Sequence, residues 1–194
     1  MDFLFLKSKR IVFAMLYFIG ALGCLGESAQ SLAHEGYSDI NSIVRQPLAA
    51  NSVLIFYWHD CPICNSYAPE INRLAAAHTN FNFYIIHIDP DLTVAAAKKH
   101  AKDFDLHPPV LLDPRHELVK MLKAKVTPEA VVLGKNGAVW YRGRIDDLYA
   151  ALGKRRSQAK SHDLSDALVA ITAGKSVSKS KTKAIGCLIQ PIKN

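Results

Sequence analysis

The chain has 194 residues, 49% of them hydrophobic, and a formal net charge of +7. That length fits one domain with appendages, and the apolar fraction is enough to bury a core, so disorder of the whole chain is excluded. The charge is modest and no basic stripe interleaved with aromatic residues runs through the sequence, which argues against nucleic acid as a partner.

The first segment carries Lys7, Lys9 and Arg10, then an apolar run from Ile11 to Leu25, then small polar residues up to Ala33. That is the layout of a secretory signal peptide, with Ser31-Leu32-Ala33 as the cleavage site, so residues 1–33 are expected to be removed and the protein exported to a periplasmic or other extracytoplasmic compartment. The apolar run is shorter than the roughly 18 residues of a spanning helix, which leaves a membrane-anchored form as the second reading. Lipidation at Cys24 ranks lower, because in Ala21-Leu22-Gly23-Cys24 the aliphatic residue stands one place too late. Cleavage before His34 leaves Cys61, Cys64 and Cys187, an odd number for an exported chain.

Residues 34–153 are expected to form the folded domain. Ser38 to Val44 reads as a short helix capped by Ser38 and ended by Pro47. Val53-Leu54-Ile55-Phe56-Tyr57 is a continuous β-branched and aromatic run of the kind expected for a strand buried on both faces. It ends in Cys61-Pro62-Ile63-Cys64, at the start of a helix over residues 62–78 with a kink at Pro69. Two intervening residues in a first helical turn let the sulfurs approach, and the free N–H groups of a helix start favour thiolate, so the motif reads as a dithiol active site. A structural zinc site would need a second ligand pair, which is absent from the sequence; the metal alternative is His59 with Cys61 and Cys64, a soft-ion set suited to copper. No other cofactor is expected. Asp60 opposes thiolate formation, Glu70 is either a buried proton acceptor or a surface carboxylate, Tyr57 and Trp58 flank the site, and the remaining histidines show no ligand spacing.

Strand Phe81 to Ile88 follows, then a helix capped by Asp91 or Thr93, a break at Pro108-Pro109, a short strand Val110-Leu111-Leu112 and a helix over 116–123. Strands separated by helices imply parallel pairing, whereas Ala130 to Leu133 and Ala138 to Arg142, joined by a loop containing Asn136-Gly137, read as a hairpin. The fold class is therefore α/β, with a mixed central sheet flanked by helices. Residues 154–194 add an amphipathic helix over Ser161 to Ala173, a basic linker from Lys175 to Lys183 and a cysteine-containing tail. The basic runs there, with Lys154-Arg155-Arg156, read as solvated linker faces; weak association with an anionic membrane surface is the alternative.

A buried strand, Cys-x-x-Cys at a helix start, a proline eight residues after the first cysteine and Val126-Thr127-Pro128 entering a hairpin together resemble the thioredoxin superfamily. Asn65-x-Tyr67-Ala68-Pro69-Glu70, Leu112-Asp113-Pro114, Thr127-Pro128-Glu129-Ala130 and Tyr141-Arg142-Gly143-Arg144-Ile145-Asp146-Asp147 narrow the likeness to its bacterial redoxin group, with alkyl hydroperoxide reductase and thiol-specific antioxidant domains. The resemblance implies a thioredoxin-like fold with an insertion over residues 89–114, a Cys61 that attacks, a Cys64 that resolves, and a cis Pro128 that, with the Thr127 backbone and Trp58, meets the substrate. It implies an exported thiol-disulfide oxidoreductase acting on protein thiols or disulfides, with a membrane reductase or oxidase as partner. Thiol peroxidase is the alternative, weakened because Leu54 and Trp58 stand where peroxidases of this kind carry proline and threonine or serine. Members of the group also carry serine at the position of Cys64 and end in a Gly-Cys-x-Ile segment, here Gly186-Cys187-Leu188-Ile189, which makes Cys187 a candidate third redox cysteine. A ten-residue linker reaches roughly 15–20 Å, so the tail can return to the rim near Tyr57 and Trp58 with Cys187 beside Cys61 or Cys64; the alternative is a cysteine that only packs, buried among apolar neighbours on the far side of the domain.

Overall fold

A computed structural model describes residues 37–38, 44–45 and 51–192. The expected leader, its cleavage site and Cys24 lie outside the described residues. Instead of a helix over residues 38–44, the described residues form two short antiparallel strands, β1 (Tyr37–Ser38) and β2 (Val44–Arg45), with Tyr37 opposite Arg45. Cross-strand pairing satisfies the backbone groups of these four residues, a contact that the helical spacing of Ile40, Ile43 and Val44 does not announce.

The central sheet has five strands in the order β5-β4-β3-β7-β8: β3 (Ser52–Tyr57), β4 (Asn82–His87), β5 (Val110–Leu112), β7 (Glu129–Leu133) and β8 (Val139–Gly143), with β6 (Val126–Thr127) just ahead of β7. β3 runs parallel to β4 and β4 to β5, while β7 pairs antiparallel with both β3 and β8. The sheet is mixed, as the helix-separated strands and the Asn-Gly hairpin imply. β3 is buried at every position, and its side chains divide with the strand period. Val53, Ile55 and Tyr57 enter one core with Ile71, Leu74, Ile85, Val132, Leu164 and Leu168; Leu54 and Phe56 enter the other with Ile86, Val131, Leu118 and Leu122. Helices α1 (Pro62–Ser66), α2 (Ala68–Ala77), α3 (Val94–Asp103) and α5 (Asp163–Thr172) send side chains into the first core, and α4 (Glu117–Leu122) into the second. Each fully buried Leu, Ile or Phe here contributes about 1.5–3 kcal/mol.

The helix after the Cys-x-x-Cys motif is broken rather than kinked. Pro69 has no N–H to return to the turn before it, and the chain closes α1 with a bond from the Tyr67 N–H to the Cys64 carbonyl before α2 begins. A small hairpin of β9 (Tyr149–Ala151) and β10 (Lys154–Arg155) follows the sheet.

In the C-terminal segment the lysines of the basic linker, Lys175, Lys179, Lys181 and Lys183, are exposed as expected, but its backbone lies along the edge of β8 at Ser180 to Thr182: the Arg142 N–H donates to the Ser180 carbonyl and the Thr182 N–H to the Arg142 carbonyl. The free edge of β8 supplies unpaired backbone groups at this point, and the main chain of Ser180 to Thr182 covers them. Beyond it β11 (Cys187–Leu188) pairs antiparallel with β6, Cys187 opposite Thr127 and Leu188 opposite Val126.

Candidate active site

β3 delivers the chain to the site: its last residue, Tyr57, is followed by a turn in which the Cys61 N–H donates to the Trp58 carbonyl, and Cys61 becomes the N-cap of α1. Pro62 occupies the first turn, where its missing N–H leaves no bond unmade. Cys64 falls one turn later. The Thr127–Pro128 peptide is cis, as the resemblance implies, and places the Thr127 carbonyl oxygen 3.5 Å from the Cys61 sulfur.

The tail completes the arrangement. Cys187 Sγ lies 2.6 Å from Cys61 Sγ, closer than two thiols in ordinary contact and longer than the 2.03–2.05 Å of a disulfide bond. All three cysteines are free. Cys61 is held down at about 5, chiefly by the hydrogen bond from Cys64; burial opposes this, and the thiol of Cys187 and the backbone N–H groups of Cys64 and Cys187 add to it. The neighbours move the other way: burial pushes Cys64 well up, and burial together with the Cys61 thiolate pushes Cys187 up to about 12. At neutral pH the cluster is therefore one thiolate between two thiol donors, the charge distribution a nucleophilic sulfur needs.

The other sequence candidates take different places. Tyr57 is fully buried rather than at the rim, and its hydroxyl donates to Asn65 Oδ1. Trp58 packs against both cores and, with Asp60, Asp89 and Asp91, lines a cavity of about 610 Å³ that Leu188 and Pro191 of the tail also border. Glu70 is a surface carboxylate, ion-paired with Arg73 at 2.7 Å. His59 turns to Asp89 (2.9 Å) and Asp60 (3.2 Å). Among the described residues the group of three whose ligand atoms all lie within 4.8 Å of one another is Glu70, Asp146 and His162, so His59, Cys61 and Cys64 are not gathered as a metal site.

Three features escape sequence reasoning. His59, His87 and His100 meet beside Tyr57, with ring centroids 5.0 to 6.5 Å apart. His87 is fully buried with neither ring nitrogen hydrogen-bonded, and burial, His100 and His59 together lower it to about 3, so it is neutral. Asn65 links this group to the site, its Oδ1 meeting both the Tyr57 hydroxyl and His100 Nε2, its amide donating to the His59 carbonyl. The available signal was topological: parallel β3 and β4 end at one edge, so Tyr57 and His87, register partners, must adjoin there. Likewise Tyr67 donates to the buried Asp146 at 2.5 Å, behind Pro128.

Comparisons with known proteins bear on the fold and the family. A crystal structure of an uncharacterized conserved protein from Geobacillus kaustophilus superposes with a TM-score of 0.70 at 22% identity, covering 82% of this chain and 89% of that one. A secreted Mycobacterium tuberculosis disulfide oxidoreductase homologous to Escherichia coli DsbE superposes with a TM-score of 0.54 at 20% identity, over 72% of this chain and 98% of that one. Both likenesses are of fold, and the fold is thioredoxin-like. In sequence, the chain is 30% identical over 88 residues to the thiol-disulfide oxidoreductase ResA of Bacillus thuringiensis, a match covering 45% of this chain and about half, 51%, of that relative. The family model for AhpC/TSA matches residues 32–142, more than half of the chain, and the protein belongs to the AhpC/TSA family.

Proposed function

We propose that this protein is an exported thiol-disulfide oxidoreductase in which Cys61 attacks, Cys64 resolves and Cys187 is a third redox cysteine. The observation that carries the reading is the convergence of the three sulfurs at the Thr127–Pro128 peptide, with Cys187 Sγ 2.6 Å from Cys61 Sγ. The kinship with ResA supports it. In the reducing direction the Cys61 thiolate attacks a substrate disulfide; a Cys61–substrate bond forms, the substrate S–S bond breaks, and the departing thiolate takes a proton. Cys64, held protonated until then by its burial, gives up its proton and attacks Cys61 Sγ; the Cys61–Cys64 bond forms, the Cys61–substrate bond breaks, and the second substrate sulfur leaves as a thiolate that takes up a proton, so two electrons have passed from the protein to the substrate. The reverse sequence oxidises a dithiol.

The leader layout of residues 1–33 supports export, with a membrane reductase or oxidase supplying or removing the electrons; among the described residues no helix is long and apolar enough to cross a membrane. Cys61→Ser is expected to abolish both insulin reduction and dithiol oxidation, and unchanged turnover would remove the assignment. Family membership also favours thiol peroxidase as the second reading. Stopped-flow mixing with hydrogen peroxide separates the two: fast, saturable oxidation of Cys61 would favour the peroxidase, whereas reaction at the rate of a free thiol would leave the oxidoreductase alone.

A further inference from the structure

The sulfur assigned to attack is sealed. Cys61 is 0% exposed; its sulfur meets Cys187 Sγ of the tail and the Thr127 carbonyl, with the thiol of Cys64 donating to it from within α1. A disulfide on another protein reaches Cys61 only when β11 is out of its place against β6. That place is a strand-pairing seat with its own demands. Gly186 passes so close to Thr127 that a Cβ there would overlap the Thr127 carbonyl, a collision with backbone that no side-chain movement relieves. Ile185 closes a small cavity with Tyr67, Pro128 and Tyr149, and on the other side the Ile189 N–H donates to the Lys125 carbonyl while its side chain packs on the second core. The seat therefore accepts an extended chain reading aliphatic, glycine, cysteine, any residue, aliphatic.

The tail can vacate the seat without leaving the molecule. Ser180 to Thr182 remain bonded to Arg142, and the five residues from there to Cys187 span at most about 17 Å when extended, so β11 leaves on a short leash and returns at high effective concentration.

We propose that Ile185 to Ile189 is a resident substrate mimic, and that the polypeptides with which this protein exchanges disulfides present glycine immediately before their cysteine, in an extended segment that takes the place of β11 against Val126–Thr127. The proposal rests on the reading of Cys61 as the attacking thiol. The incoming segment pairs with β6, its cysteine disulfide comes to Cys61 Sγ, the Cys61–substrate bond forms, and the second sulfur of the substrate leaves as a thiolate that takes a proton.

The test uses the reduced full-length protein and two synthetic peptides, Ile-Gly-Cys-Leu-Ile and Ile-Val-Cys-Leu-Ile, each capped on cysteine by a chromogenic thiol, with capped free cysteine as a small unhindered disulfide. The glycine peptide is expected to release the chromophore about tenfold faster than the valine peptide, or more; equal rates overturn the proposal. Gly186→Val in the full chain, unable to seat its own tail, is expected to release it from capped cysteine about tenfold faster than wild type, as local opening at the site becomes permanent; an unchanged rate overturns it. The peptide comparison needs no variant and stands if Gly186→Val fails to fold. Failure of the underlying reading has a different signature: release from all three disulfides at the same rate in wild type and Cys61→Ser would show that Cys61 is not the attacking thiol.

Discussion

Removing the sulfur of Cys64 should raise the pKa of Cys61 more than removing that of Cys187, because the hydrogen bond from Cys64 is the largest influence holding Cys61 at about 5 and that from Cys187 is smaller than the opposing effect of burial. Ultraviolet thiolate absorbance followed against pH in Cys64→Ala and Cys187→Ala measures this, and the reverse order would mean that the tail thiol dominates. His87 makes a second prediction at the same scale. Its pKa falls from 6.5 in the unfolded chain to about 3 in the fold, so below pH 6.5 the unfolded state binds the extra proton and stability declines as pH falls toward 3. Each fully developed pH unit costs about 1.4 kcal/mol. His87→Leu is expected to remove that slope and, by deleting two unpartnered buried nitrogens, to leave the protein as stable as wild type or about 1 kcal/mol more stable at neutral pH. Urea unfolding across that pH range decides; a variant that keeps the wild-type slope would locate the acid sensitivity in His100 or His78, which are lowered in the same direction. The thiolate was legible in Cys61-Pro62-Ile63-Cys64 at a helix start, but the burial of His87 was not, since a histidine ending an apolar strand gives no sign of what the neighbouring strand places opposite it.

Elements were read best where one period dominates. β3, β4, β5 and the β7–β8 hairpin lie within a residue or so of their expected bounds, because runs such as Val53 to Tyr57 bury both faces and leave the chain no alternative partner. Thr93 caps α3 as one of two expected residues, its hydroxyl accepting from the Ala96 N–H. Misreadings fall where backbone pairing, not side-chain pattern, sets the structure. Tyr37–Ser38 and Val44–Arg45 pair through main-chain bonds that the spacing of Ile40, Ile43 and Val44 does not announce. Ser180 to Thr182 read as solvent-facing, yet Thr182 Oγ1 accepts from the Arg144 N–H at 3.0 Å and meets the Tyr141 hydroxyl at 2.7 Å. A short polar segment is silent about such a seat because its partners, β8 and the loop after it, lie some forty positions earlier in the chain.

At the scale of the whole molecule, the tail is held at two close backbone approaches, each of which depends on a glycine: Gly186 of the tail against Thr127, and Gly143 of β8 against Thr182. Gly143 has φ of +146°, a conformation L side chains rarely adopt, and a Cβ there would collide with the hydroxyl and carbonyl oxygen of Thr182. The family motif Tyr-Arg-Gly-Arg thus contains the residue that seats the C-terminal segment, although the sequence presents it only as part of a strand. Gly143→Ala should lift Ser180 to Thr182 from the edge of β8, losing the bonds at Arg142 and those on the Thr182 hydroxyl, and cost on the order of 2–4 kcal/mol from strain and unpaired groups together. Because the leash to Cys187 is short, the same change should lower the effective concentration of Cys187 at Cys61, whereas Gly186→Val frees β11 and leaves the anchor in place. Hydrogen exchange distinguishes them: in Gly143→Ala the Arg142 and Thr182 amides lose protection, and in Gly186→Val those two keep it while the Ile189 amide, bonded to Lys125, loses it. Retained protection at Arg142 and Thr182 in Gly143→Ala would show that the tail finds its place on β8 without the glycine, and that the coupling between anchor and active site runs through other contacts.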